Sequence, residues 1–232
     1  MPDDKKEHKD AERQADFIVA RFEKWALPRI AAALPKWVMP DHLTSLGIVA
    51  ATWIAFCYMK SNSNPLWLYG ASLGIVLHWF GDSLDGTLAR VRKIQRPRYG
   101  FYLDHLTDAY STTAIGLGLG LSPYMLLSVA FAGVIAYLML SINVYLETYI
   151  FNRFKYGYGM LGPTEVRLVL LGLNLLAGGL SPLPFRLFGI DMTVFDIGGM
   201  VVTAIMLVLL LGRAMKNLEE LARDEPPNVV KE

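Results

Sequence analysis

Residues 81–90 read GDSLDGTLAR and follow directly on LWLYGASLGIVLHWF at 66–80. The upstream run has the composition of a lipid-facing helix. Asp82, Asp85 and Arg90 then stand where hydrocarbon would be expected. An aspartate near the centre of a membrane helix costs about 2.5–3.5 kcal/mol. With Asp104 and Asp108 a short distance on, the uncompensated cost rises to roughly 10 kcal/mol. Something must offset it, and the rest of the chain narrows what that is.

The surroundings are those of a polytopic membrane protein. Of the 232 residues 53% are hydrophobic and 19% charged, too oily for an ordinary soluble domain. From Ala109 to Leu146 no residue is charged, and only Ser122-Pro123 interrupts the run. It therefore divides into two segments of about 20 residues, the length a bilayer core requires. The pattern predicts an all-α integral membrane fold with six transmembrane helices over 42–59, 65–88, 101–121, 124–150, 165–183 and 193–214. SNSNP at 61–65, LSP at 121–123 and SPLPF at 181–185 read as short outer turns. The water-exposed parts are too short for a core of their own, so 1–232 forms one domain, with the six-helix core at 42–214 and a cytoplasmic tail at 215–232.

The net charge of +1 is uninformative, but its placement is not. With the N-terminus inside, 20 of the 22 Lys and Arg residues fall on the inner side, and only Lys60 and Arg186 fall outside. The positive-inside rule then puts both termini in the cytoplasm, and in a prokaryote the membrane would be the plasma membrane. The first residues lack the apolar run of a secretory signal. Residues 16–37, with Ile18, Phe22, Trp25 and Ala26 on one helical face, read as an amphipathic helix in the cytoplasmic headgroup layer; a helix packed on a partner domain is the alternative. Cys57, the one cysteine, permits no disulfide or cysteine metal site and reads as apolar packing. Gly116, Gly118 and Gly120 read as helix-contact positions without chemistry.

Helical spacing gathers the acids. Asp82, Gly86, Ala89 and Arg90 share one broad face with Asp85. Gly100, Asp104 and Asp108 share another, at steps of four. The basic link VRKIQRPRY at 91–99 turns the chain back at the cytoplasmic surface, so the two acidic faces can meet. Four carboxylates in one cavity raise one another's pKa. Divalent cations relieve this, and an all-oxygen donor set without a His/Cys group favours Mg²⁺ or Mn²⁺ over zinc. Gly86 and Ala89 leave room for a flat ring against the helix, and Arg90 offers a fork of donors for phosphate. Together these suggest a nucleotide diphosphate.

DSLDGTLAR at 82–90 and GFYLDHLTD at 100–108, separated by nine residues, resemble the signature of the CDP-alcohol phosphotransferase family: D-x-x-D-G-x-x-A-R, a spacer, then G-x-x-x-D-x-x-x-D. All eight fixed positions match. The spacer is longer than is usual, but it falls in the turn. The resemblance implies that Asp82, Asp85 and Asp104 hold divalent metal, with two ions expected. It implies that Asp108 is the general base and can also touch a second ion. Gly86 and Ala89 would flank the cytosine, Arg90 would meet the donor phosphates, and Gly100 would let the opposite helix come close. PDHLT at 40–44 is similar to the opening of the first span in the family, with Asp41 where Asn is common, and carries over Thr44 alone. The implied partners are a CDP-linked donor, an alcohol acceptor, membrane lipid and a second copy of the chain, with no nucleic acid.

The implied activity is phospholipid synthesis: a substituted phosphate passes from a CDP-linked donor to an alcohol and CMP leaves. CDP-diacylglycerol with an inositol phosphate or glycerol phosphate acceptor is favoured by the six spans. CDP-choline or CDP-ethanolamine with diacylglycerol is the alternative, to which His105 and the TEVR of residues 164–167 point. A cation transporter with an intramembrane aspartate site is the rival of another class; it leaves Gly86, Ala89 and Arg90 unexplained. His78 reads as a packing histidine within reach of the site. Glu165 and Arg167 read either as an exposed pair at a helix start or as groups at the cytoplasmic mouth, and Glu147 as an acceptor contact or a solvated helix end.

Overall fold

Pro40, Pro97 and Pro163 are the first residues of their helices, and Thr193 stands just before another. The computed structural model describes residues 20–151, 163–177, 182, 184–187 and 189–226. In chain order it has α1 (Ala20–Ala33), α2 (Pro40–Lys60), α3 (Trp67–Val91), α4 (Pro97–Gly120), α5 (Leu127–Phe151), α6 (Pro163–Ala177), β1 (Phe185–Leu187), β2 (Ile190–Met192) and α7 (Val194–Asp224). Pro40 and Pro97 occupy first-turn positions, where the missing N–H costs nothing. Thr193 caps α7: its Oγ1 accepts from the Phe195 N–H at 3.1 Å, and the Asp196 carboxylate accepts from the Thr193 N–H at 2.8 Å. Asp196 is buried and also accepts from the Leu126 N–H at 2.6 Å, so one capping box joins α7 to the turn before α5.

Helices α2 to α7 fall on the six segments expected from sequence, with shifted ends; residues 178–181 and 183, in the last part of the fifth expected segment, lie outside the described residues. Three of them, α2, α5 and α7, are long and apolar enough to cross a membrane. Acidic and polar side chains lower the apolar character of α3 and α4, and the described part of α6 has 15 residues. Large apolar side chains face outward along the helices, including Val201, Val208 and Leu211 on α7 and Leu176 on α6. The chain is an integral membrane protein built from helices. Between α6 and α7 lies an unexpected element, a hairpin in which Phe185 pairs with Met192 and Leu187 with Ile190. Gly189 turns it with φ +81°.

The helix expected over 16–37 differs from its expectation in extent and facing. Residues 16–19 lie outside the described residues, and α1 ends at Ala33, short of Pro35. Ala26, Leu27 and Ala31 turn inward, and Leu27 and Ala31 pack with Leu43, Leu84 and Leu88. Phe22 and Trp25, expected on the same face as Ala26, remain exposed. The helix thus has one face on α3 and two large rings outside.

The α2–α3 pair is the most extensive contact, followed by α2–α4, and α6 leans on α3. Backbone comes close to backbone at two glycines. A Cβ at Gly81 would lie 2.6 Å from the Leu43 carbonyl and 2.8 Å from the Gly47 N atom, so α2 rests on α3 one residue before Asp82. A Cβ at Gly118 would lie 2.7 Å from the Ala55 carbonyl, which brings α4 onto the other side of α2. Toward the turns at 61–65 and 121–123, Ile54, Cys57, Tyr58, Leu68, Leu119, Tyr124 and Phe195 form a buried cluster. Cys57 is fully buried there, as its packing role predicts. Tyr58 donates to the Asn174 side-chain oxygen at 3.1 Å, tying α2 to α6. These contacts hold α2, α3, α4 and α6 together around the ends of α3 and α4 that the 92–96 link joins, close to the acids.

Candidate active site

The α3–α4 link is fastened to the preceding chain by two arginines, Arg92 and Arg96. Arg92 donates to the carbonyls of Leu34 at 3.0 Å, Pro35 at 2.9 Å and Lys36 at 3.3 Å, and to Val38 as well. It thereby gives partners to four carbonyls of the chain that follows α1. Arg96 pairs with Asp41 and lies over the Tyr99 ring at 3.9 Å. The hydrogen bond to Asp41 raises the Arg96 guanidinium above its ordinary value. Asp41 is thereby occupied at the mouth of the site.

A cavity of about 1080 Å³ opens among α1, α2, α3, α4 and the start of α6. Every residue singled out from the motif lines it: Thr44, Asp82, Asp85, Gly86, Ala89, Arg90, Gly100, Asp104 and Asp108. Asp82, Asp104 and Asp108 each offer a carboxylate oxygen, and these lie within 4.8 Å of one another. Asp85 stands beside this trio and not within it. Its carboxylate accepts from Thr44 Oγ1 at 2.7 Å and from the Gly86 N–H. Three oxygens of one sign so close, all half-buried, repel unless a cation joins them, and a hard divalent ion suits such donors. The residues present therefore fit the expected metal, three of them at one point and the fourth at its edge.

The small residues face open space. A Cβ at Gly86 would meet only Arg90 Nη1, at 3.5 Å, and one at Gly100 would meet nothing within 4 Å. The close helix approach expected at Gly100 is thus absent there; it occurs at Gly81 and Gly118, where the helices cross. Arg90 donates to Thr87 Oγ1 at 3.0 Å, one turn back on its own helix.

Residues left undecided by sequence now have places. Arg167 donates to Asp82 Oδ2 at 2.6 Å, and Glu165 is buried; the two are not an exposed pair. Glu147 is not a solvated end. It is buried between α5 and α7, where it accepts from Asn143 at 2.8 Å, Asn217 at 2.7 Å and Arg213 Nε at 3.0 Å. His105 stacks between Phe101 and Tyr145, with ring centroids 4.1 and 4.9 Å away. His78 is buried and lines a small pocket of about 10 Å³ behind Asp82 and Asp85, room for about one water. Its Nδ1 has no hydrogen-bond partner among the described residues. Glu23, which sequence did not single out, accepts from Trp79 Nε1 and Thr164 Oγ1, both at 2.8 Å. A lone Glu on an amphipathic helix reads as a solvated charge, so no local signal marks it.

Helices long and apolar enough for a membrane are thus folded around a polar cavity lined by carboxylates. Residues 37–212 match the CDP-alcohol phosphatidyltransferase family, and the chain belongs to it. Phosphatidylinositol phosphate synthase of Cutibacterium acnes is 33% identical over 104 residues, covering 44% of this chain and 47% of that protein. The match thus spans about half of the relative's length. The fold is similar to that of the crystal structure of Mycobacterium tuberculosis phosphatidylinositol phosphate synthase with CDP-DAG bound. The TM-score is 0.61 at 18% identity, over 82% of this chain and 92% of that one.

Proposed function

We propose that the chain is a phospholipid-synthesising transferase that moves a phosphatidyl group from CDP-diacylglycerol to a phosphorylated polyol, inositol phosphate or glycerol phosphate, with release of CMP. The observation that carries this reading is the convergence of the Asp82, Asp104 and Asp108 oxygens in a cavity also lined by Gly86, Ala89 and Arg90. The half-length relative and the fold neighbour are both phosphatidylinositol phosphate synthases, which favours this donor and acceptor over CDP-choline with diacylglycerol.

Asp82, Asp85, Asp104 and Asp108 would hold Mg²⁺ or Mn²⁺, most simply two ions. Bound there, the metal supplies charge neutralisation for the pyrophosphate and the leaving phosphate. Gly86 and Ala89 leave a flat surface for the cytosine, and Arg90 reaches the donor phosphates. Thr44 orients Asp85 through its hydrogen bond, and Gly100 keeps the facing wall open. Asp108 takes the proton from the acceptor hydroxyl. That oxygen forms a bond to the β-phosphorus as the bond from this phosphorus to the bridging oxygen breaks, and CMP leaves with the electron pair. Positioning of the two substrates supplies much of the rate.

The helices α2 to α7 are read as six membrane crossings, with both termini and the cavity on the cytoplasmic side. The distribution of Lys and Arg supports that orientation. Phe22 and Trp25 on the outer face of α1 suit the headgroup layer. A homodimer is part of the same reading. The test uses purified protein with Mg²⁺ or Mn²⁺, CDP-diacylglycerol and each polyol phosphate, against CDP-choline and CDP-ethanolamine with diacylglycerol. CMP release that requires CDP-diacylglycerol, one of the polyol phosphates and the metal, and that stops with EDTA, is expected. Turnover only with the CDP-choline or CDP-ethanolamine pair would overturn the donor assignment, and no CMP from any pair would overturn the enzymatic reading.

A further inference from the structure

Four residues on two helices form a ladder beside the acids. Trp79 and Asp82 lie three apart on α3, and Thr164 and Arg167 lie three apart at the start of α6, so each pair shares one helical face. One rung runs from Trp79 to Thr164 through Glu23 Oε1 of α1, at 2.8 Å on each side. The other is the 2.6 Å contact of Arg167 with Asp82. The side chains of Arg167 and Asp82 are 14% and 24% exposed, so water screens the pair little. Arg167 lies outside the acidic motif, yet it brings a full positive charge to one of the three carboxylates that converge.

We propose that Arg167 is a resident cation of the carboxylate cluster and competes with the divalent ion for Asp82, so that it lowers the metal affinity of the site. The inference rests on the metal reading given above. Without a cation the trio is self-repelling, and the guanidinium offsets part of that repulsion. A divalent ion entering the trio meets a fixed positive charge on one of its ligands. Removing that charge strengthens ion binding by about tenfold or more, since a unit charge a few ångströms from a divalent ion costs that much even with strong screening. The Glu23 rung holds the first turn of α6 in place, so that Arg167 keeps its reach to Asp82. A purely structural role predicts the opposite sign: loosening the wall would disorder Asp82 and weaken binding.

The measurement is Mn²⁺ affinity by electron paramagnetic resonance, on the full chain in detergent, without substrates. Arg167→Gln is expected to bind Mn²⁺ about tenfold more tightly than wild type. Arg167→Lys, which keeps the charge, is expected to stay within about twofold. Thr164→Val removes one side of the Glu23 rung and leaves all the acids and Arg167 in place. It is expected to tighten binding by a smaller factor, and it serves as the test if Arg167→Gln does not fold. Unchanged or weaker Mn²⁺ binding in Arg167→Gln, or in Thr164→Val where that variant stands in, overturns the inference while leaving the metal site standing. A wild-type chain that takes up no Mn²⁺ overturns both.

Discussion

Thr44 on α2 donates a 2.7 Å hydrogen bond to Asp85 on α3, across a sequence separation of 41 residues. The same hydroxyl lies 3.3 Å from the Pro40 carbonyl, so it is anchored within its own first turn. Asp85 is therefore aimed from a neighbouring helix and from the Gly86 N–H.

Removing that donor leaves a partly buried carboxylate short of a partner. A hydrogen bond to a charged group contributes about 1.5–3 kcal/mol. Thr44→Val keeps the shape and is expected to lower CMP release roughly tenfold at limiting Mg²⁺, with less loss at saturating metal. Thr44→Ser restores the rate. Initial rates across a Mg²⁺ titration check this, and a rate insensitive to Thr44→Val would show that Asp85 needs no such aiming.

Gly81 and Gly86 separate packing from site. At Gly81 an added methyl would meet the backbone of Leu43 and Gly47, which cannot yield as a side chain can. Gly81→Ala is expected to destabilise the protein by about 1–3 kcal/mol and to displace Asp82 with it. At Gly86 the methyl has room, so Gly86→Ala is expected to melt like wild type while CMP release falls. Thermal melts in detergent beside the activity assay distinguish the two. Equal melting temperatures for both variants would contradict the close α2–α3 approach.

Glu147 and Arg213 join α5 to α7 inside a polar cluster completed by Asn143 and Asn217. Breaking a largely buried ion pair by removing one member typically costs about 3–5 kcal/mol. Glu147→Ala is expected to lower the melting temperature strongly and to leave the Mn²⁺ affinity of the folded fraction unchanged. The double replacement Glu147→Met with Arg213→Met is expected to recover much of that loss. A double variant as unstable as Glu147→Ala would point to the asparagines as the main tie.

Asp108 carries the proton transfer in the proposed reaction. General-base catalysis contributes about 10²- to 10⁴-fold. Asp108→Asn is expected to lower CMP release by at least about a hundredfold without lowering the melting temperature. Wild-type turnover in that variant would remove Asp108 from the role.

Much of the site was legible because local geometry carries it. Spacings of three and four place Asp82 with Asp85, and Asp104 with Asp108, on single faces whatever the rest of the chain does. A nine-residue basic link between them can do little but turn back. The cavity wall contributed by α1 and α6 was not legible. Glu23 and Arg167 sit in patterns that serve equally well as solvated surface, and Glu147 reads equally as an acceptor contact or a solvated helix end. The T-x-x-D box of Thr193 and Asp196 was readable as a helix start, but its bond to Leu126 was not.

By itself the amino-acid order determined the membrane character, the helical segments, the two acidic faces and the preference for a hard divalent ion, because hydropathy, helical period and ligand chemistry act over a few residues. Tertiary structure alone decided that Asp85 stands beside the other three acids, that Arg167 reaches Asp82, and that the close crossing falls at Gly81 and not at Gly100. Those outcomes depend on which helix surfaces interlock and at what depth, and packing at that scale is set by the summed fit of many side chains far apart in the chain.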